Sequence, residues 1–133
     1  MDKLSPEKRS ENMRRIRSKG MKPELLVRSI AHRMGYRFRL HARDLPGRPD
    51  LVFRSRRKII FVNGCFWHGH SCKEGRRVPK SNVDYWMQKI AKNKVRDAKN
   101  RRKLKADGWS VLTIWECEKE PEIRQKLRSF LSA

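Results

Sequence analysis

Two short apolar runs at either end of one long polar stretch constrain this chain most. Lys58-Ile59-Ile60-Phe61-Val62 is nearly continuous in apolar residues, the pattern of a strand covered on both faces at a sheet centre. Ser110-Val111-Leu112-Thr113-Ile114-Trp115 reads as a second strand. Between them, Ser81 followed three residues later by Asp84 is a capping-box-like helix start, and Gly108 is a stop after Asp107. A strand, a long helix and a strand make a crossover, which sets the last strand parallel to a neighbour.

The remaining elements fit around that unit. Ser5-Pro6-Glu7 reads as a helix start with Met13 and Ile16 as its apolar pair, a light anchor for an N-terminal arm over residues 1–20. A second helix begins near Pro23, with Leu26, Ile30 and Met34 at four-residue spacing and Gly35 as stop. Tyr36, Phe38 and Leu40 then alternate with Arg37, Arg39 and His41, predicting a half-buried strand. A Pro/Gly turn at 44–49 delivers Asp50 to the short strand Leu51-Val52-Phe53, and Arg54–Arg57 forms a basic hairpin loop. Pro121 opens a last helix with Ile123, Leu127 and Leu131 on one face. The predicted order is α-α-β-β-β-α-β-α: one mixed α/β domain over residues 1–133, its first three strands an antiparallel meander.

Charge narrows the partner. The 133 residues carry a net charge of +21. Segment 73–106 has 13 basic against 3 acidic residues, whereas 107–133 is slightly acidic. A localised basic stripe is the footprint of a polyanion, and here Tyr85, Trp86 and Ile90 interrupt it, unlike a disordered tail. No window approaches the ~20 apolar residues of a membrane span, and the N-terminus lacks the apolar core of a signal peptide. The expectation is a cytoplasmic, monomeric, nucleic-acid-binding protein.

The three cysteines, Cys65, Cys72 and Cys117, are an odd count that argues against a disulfide framework. Cys65 and Cys72 flank His68 and His70, and Cys117 ends the fourth strand, where it can approach the same loop. Three thiolates and an imidazole make a closed structural Zn²⁺ set; three inert buried thiols are the alternative. His70, separated by one residue from Cys72 and by four from Cys65, can fold into the knuckle, which leaves His68 over. Asp50 suits Mg²⁺, which favours a few carboxylates and retained waters, although an aspartate after proline also serves as plain turn chemistry. The exit of the third strand offers the Val62 carbonyl and the Asn63 side chain. Glu24 and Asp97 are helical carboxylates that could reach the same face.

Leu45-Pro46-Gly47-Arg48-Pro49-Asp50, the run Phe61 to Cys72 with Gly64-Cys65-Phe66-Trp67-His68, and Trp109 to Cys117 resemble the very short patch repair (Vsr) DNA mismatch endonucleases. The resemblance covers residues 8 to 118 and implies a restriction-endonuclease-like core, whose α-β-β-β-α-β order matches the one read above. It implies Mg²⁺-dependent nicking 5′ to the thymine of a T:G mismatch in double-stranded DNA, in concert with mismatch-repair proteins. It makes Asp50 and the Val62 carbonyl the Mg²⁺ ligands, His68 the catalytic imidazole, Asp97 its orienting partner and Glu24 a neighbour of the metal's water shell. Cys65, His70, Cys72 and Cys117 match its zinc ligands, and Phe66, Trp67 and Trp86 its intercalating aromatics. The family pattern has Thr-His where this chain has Val62-Asn63. A main-chain carbonyl survives that change, whereas the Asn63 amide keeps hydrogen bonding but cannot transfer protons. A zinc-stabilised DNA- or RNA-binding protein without cleavage activity is the alternative reading.

Overall fold

The computed structural model describes residues 22–133; the predicted N-terminal helical arm lies outside them. Among the described residues the elements are α1 (Pro23–Arg33), β1 (Arg39–Leu40), β2 (Leu51–Phe53), β3 (Lys58–Asn63), α2 (Val83–Ala106), β4 (Ser110–Trp115) and α3 (Glu120–Ser132). The four strands form one mixed sheet in the order β1-β2-β3-β4. β1 and β2, and β2 and β3, pair antiparallel, and β3 pairs parallel with β4 across the α2 crossover.

Side-chain alternation divides the core in two. Leu51, Phe53, Ile60 and Ile114 pack with Val27, Ile30 and Ala31 of α1 and Ile123, Leu127 and Leu131 of α3. On the opposite sheet face Val52 and Ile59 pack with Ala42, Leu104 and Trp109. The result is three layers, with α1 and α3 on one side of the sheet and α2 on the other. Each fully buried Leu or Ile contributes about 1.5–3 kcal/mol, so α3 is fastened by three of the strongest such anchors in its sequence. Its C-terminus is also capped: the ammonium of Lys58, only 7% exposed, donates to the carbonyls of Phe130 and Ala133.

Three local expectations shift. On α1 the fully buried stripe is Val27, Ile30 and Ala31, while Leu26 and Met34 pack at its margin; the apolar face is turned by one residue from the spacing of Leu26, Ile30 and Met34. The first strand is two residues long rather than six, and Arg39 and Leu40 are exposed. Tyr36 and Phe38 still pack their rings against Phe53 at 6.5 and 5.6 Å, but as an extended lead-in at the sheet edge. The α2 start has no side-chain cap: Asn82, in the left-handed region at φ 53°, precedes Val83, so the Ser81/Asp84 capping box does not form.

Candidate active site and metal-binding loop

The C-terminal end of β3 is where the chemistry-bearing residues meet. Because β2 runs antiparallel to β3, Asp50 at the head of β2 arrives beside Val62 and Asn63 at the tail of β3. The Val62 N–H donates to Asp50 Oδ2 at 2.6 Å. Burial pushes the Asp50 carboxyl from 3.8 up to about 6, partly opposed by that Val62 N–H, while the neighbouring Glu24 carboxylate raises it further and His41 lowers it. A buried anion beside another carboxylate is disfavoured until a cation joins it. A cleft of about 530 Å³ opens here, lined by Asp50, Val62, Asn63, His68 and Asp97 and by the cations Arg48 and Arg96. Asn63 is 7% exposed and sits inside that lining.

The loop after β3 carries His68 across to α2. His68 Nδ1 lies 2.5 Å from Asp97 Oδ2. With Nδ1–H given to the carboxylate, Nε2 is the basic nitrogen of this imidazole. The loop is pinned on three sides. Asn93 donates its amide to the Trp67 carbonyl at 2.9 Å, the Cys65 N–H donates to Glu116 Oε1 at 2.8 Å, and the His70 N–H donates to the Cys65 carbonyl at 2.9 Å. Gly69, at φ 60°, lies so close to α2 that an added Cβ would fall 2.7 Å from the Lys94 side chain and 2.9 Å from that of Ile90. Only glycine meets both demands without strain.

Strand register explains how the distant cysteine joins the other two. β3 and β4 pair Asn63 with Trp115, so Cys65 and Cys117 each follow their strand's last paired residue by two. One ligand atom each of Cys65, His70, Cys72 and Cys117 lies within 4.8 Å of the others. The His70 ring stacks on Trp115 with centroids 4.1 Å apart, and its Nδ1 is 3.6 Å from Cys117 Sγ. Hydrogen bonds from His70 and from the Gly75 N–H bring the Cys72 thiol down to about 6, whereas desolvation pushes Cys65 up to about 12 and also raises Cys117. Soft sulfur donors with one imidazole are the donor set of a closed tetrahedral zinc site, and one thiol is already ionised near neutral pH.

The predicted aromatics also converge. Phe66 and Trp67 are 5.6 Å apart by ring centroids, Trp67 and Trp86 5.2 Å, and Phe66 and Trp86 6.3 Å. Trp67 remains 47% exposed. Trp86 and Asp97 are eleven residues apart, about three helical turns, so α2 presents both on one face some 16 Å apart along its axis. The helix thereby couples the aromatic cluster to the His68 pair.

Glu24 reaches the Asp50 edge of this cleft from α1, as expected of a helical carboxylate, and Arg28 donates to it. Sequence reasoning missed His41 and Arg28 beside Asp50 and Glu24, Arg96 and Asn100 in the cleft lining, and Asn93 under the loop. Nothing marks the first four in a chain this rich in basic residues; Asn93 sits four residues before Asp97 on the same helical face, a spacing that could have found it.

Comparison with known proteins identifies the family. Residues 1–74 match the family described as DNA mismatch endonuclease Vsr. Type II nicking enzyme V.XorIIP of Xanthomonas oryzae pv. oryzae is 55% identical over 117 residues, covering 88% of this chain and 85% of that protein. Type II nicking enzyme V.NmeAIP of Neisseria meningitidis is 44% identical over 88% of this chain and 83% of its own. DNA mismatch endonuclease Vsr of Escherichia coli is 41% identical over 82% of this chain and 69% of its own. The chain belongs to the Vsr DNA mismatch endonuclease family.

Proposed function

We propose that this chain, a DNA endonuclease of the mismatch-specific class, nicks one strand of a T:G-containing duplex 5′ to the thymine in very short patch repair. The observation that carries the reading is the cleft itself. Asp50, the Val62 main chain and the His68–Asp97 pair surround one space, with an aromatic cluster on the adjoining loop and helix of which Trp67 is exposed. We assign the fold to the restriction-endonuclease-like class, on its mixed sheet and crossover together with the family.

Asp50 and the Val62 carbonyl would hold Mg²⁺, whose bound charge would polarise the phosphate and stabilise the leaving oxygen. His68 Nε2 takes a proton from the water that attacks phosphorus, and Asp97 holds the imidazole in the tautomer that makes this possible and stabilises the imidazolium. Arg48 and Arg96, which line the cleft, attract the scissile phosphate. Asn63 donates or accepts hydrogen bonds there without moving protons. Cys65, His70, Cys72 and Cys117 would hold a structural Zn²⁺ that fixes the loop bearing Phe66, Trp67 and His68. Phe66, Trp67 and Trp86 wedge into the base stack, a step that costs a few kcal/mol and least at a mispair. The basic α2 segment and Arg54–Arg57 hold the phosphate backbone, whereas Lys58 is buried against the C-terminus of α3 and is not free for DNA; log affinity falls with log salt at about −0.9 per phosphate neutralised. The protein acts as a monomer, one domain over 1–133, in the bacterial cytoplasm beside the nucleoid, and hands its nick to mismatch-repair proteins.

The test uses end-labelled duplexes carrying T:G or T:A, incubated with Mg²⁺ and either wild type or Asp50→Ala. A nick confined to the thymine strand of the T:G duplex and lost in the variant is expected. Absence of nicking in every T:G context leaves the zinc-stabilised binding protein as the reading, and equal nicking by the variant overturns the assignment of the reaction to the Asp50 cleft.

A further inference from the structure

The edge of the cleft holds a group that the hydrolysis above does not use. β1 and β2 pair Arg39 with Val52 and Leu40 with Leu51, which sets His41 opposite Asp50, and the His41 N–H donates to the Asp50 carbonyl at 3.1 Å. His41 directly follows β1, in the left-handed region at φ 49°, uncommon for a residue with a side chain. Its Nδ1 lies 3.9 Å from Asp50 Oδ1 and its Nε2 3.6 Å from Glu24 Oε1. One ligand atom each of Glu24, His41 and Asp50 falls within 4.8 Å of the others.

We propose that His41 Nδ1 is a ligand, beside Asp50 Oδ1, of the divalent cation in this cleft, and that its nitrogen makes the centre prefer Mn²⁺ to Mg²⁺. The inference rests on the reading of Asp50 as a metal carboxylate. The two oxygens of Asp50 have separate duties: Oδ2 accepts from the Val62 N–H, and Oδ1 is the one facing the His41 ring. A gap of 3.9 Å is less than twice the ~2.1 Å of a metal–ligand bond, and rotation of the half-exposed His41 ring can close it toward the ~3 Å between adjacent octahedral ligands. Mg²⁺ is a hard cation of oxygen ligands that dehydrates reluctantly, whereas Mn²⁺ suits the same carboxylate and water ligands and, as a first-row transition ion, also accepts an imidazole nitrogen. With Nδ1 engaged, Nε2 carries the proton and points it at Glu24, the carboxylate–histidine–metal arrangement that orients a ligand ring. Arg28 Nη2 now donates to Nε2 at 3.2 Å and to Glu24 Oε2. Ligation therefore exchanges the imidazole tautomer and leaves Arg28 on Glu24 alone.

The experiment uses the full chain preloaded with one equivalent of zinc, so that the thiol cluster does not compete. Calorimetric titration with Mn²⁺ and with Mg²⁺ is paired with pulsed electron paramagnetic resonance of the Mn²⁺ complex, which reads coupling to a ligand nitrogen. Wild type binds Mn²⁺ at least about tenfold more tightly than Mg²⁺ and shows the nitrogen coupling. His41→Gln loses the coupling and most of the Mn²⁺ advantage, while its Mg²⁺ affinity changes less than about threefold. His41→Asn, which tolerates the left-handed backbone, does the same and guards against misfolding. His68→Gln keeps the coupling. Retention of coupling or of the Mn²⁺ preference in both His41 variants overturns the proposal, as does its loss in His68→Gln. If wild type nicks T:G duplexes in Mg²⁺ and the His41 variants keep the preference, only this inference falls. If Asp50→Asn binds both ions as wild type does, the reading of Asp50 falls.

Discussion

Replacing Asp50 by asparagine removes a charge that the fold holds at a cost, so the metal-free protein becomes more stable as it loses its reaction. The carboxyl rises from 3.8 to about 6 on folding, chiefly through burial. A raised carboxylate pKa means that the native state binds the proton more tightly than the unfolded chain. Its contribution to stability is therefore full below about pH 3.8 and is lost as pH climbs through about 6. One pKa unit is about 1.4 kcal/mol, so the wild type forfeits about 1 kcal/mol by pH 4.5 and about 3 kcal/mol above pH 7. The asparagine amide keeps an acceptor for the Val62 N–H and has no charge to desolvate. In urea unfolding without added divalent cation, Asp50→Asn should exceed wild type by about 3 kcal/mol at pH 7.5 and by about 1 kcal/mol at pH 4.5. Added Mg²⁺ or Mn²⁺ narrows the gap by stabilising only the wild type. A variant no more stable than wild type at pH 7.5, or a gain independent of pH, would refute the claim that burial of this anion is the dominant perturbation.

Other outcomes follow from contacts elsewhere. Lys58→Ala strips the α3 C-terminus of a buried ammonium donor to Phe130 and Ala133 and should cost about 2–3 kcal/mol by chemical denaturation. Cys72→Ser should reduce bound zinc from one equivalent to none by elemental analysis and lower the melting temperature, because the metal's binding energy is folding energy. Trp67→Ala, at an exposed ring, should change stability by less than about 1 kcal/mol. It should lower the ratio of T:G to T:A nicking by about tenfold or more, since unstacking is worth a few kcal/mol.

Much of this protein was legible because its signals are local. The apolar run at 58–62, the stop at Gly108 and the stripe of Ile123, Leu127 and Leu131 report burial directly, since periodicity is all that a strand or helix needs to choose a face. The spacing of Cys65, His70 and Cys72 limits what their loop can hold, and Cys117 at a strand end was already a candidate to meet it. The short edge strand was misread because alternation specifies a face but not a pairing partner: beyond Leu40 the chain turns at His41 into the left-handed region. The α1 stripe was off by one position because Leu26 and Val27 are both apolar, and only packing against α3 and the sheet chooses between them.

The amino-acid sequence by itself determined the order of elements, the basic surface and the types of donor atoms available, because composition and period are properties of the chain alone. Tertiary structure decided which donors meet. The antiparallel register of β1 and β2 sets His41 against Asp50, and the parallel register of β3 and β4 sets Cys117 against Cys65. The helical phase of α2 delivers Asp97 to His68 and Trp86 to Trp67. Register and phase arise from packing between elements far apart in the chain, and a burial-driven carboxyl pKa exists only once those elements have closed around it.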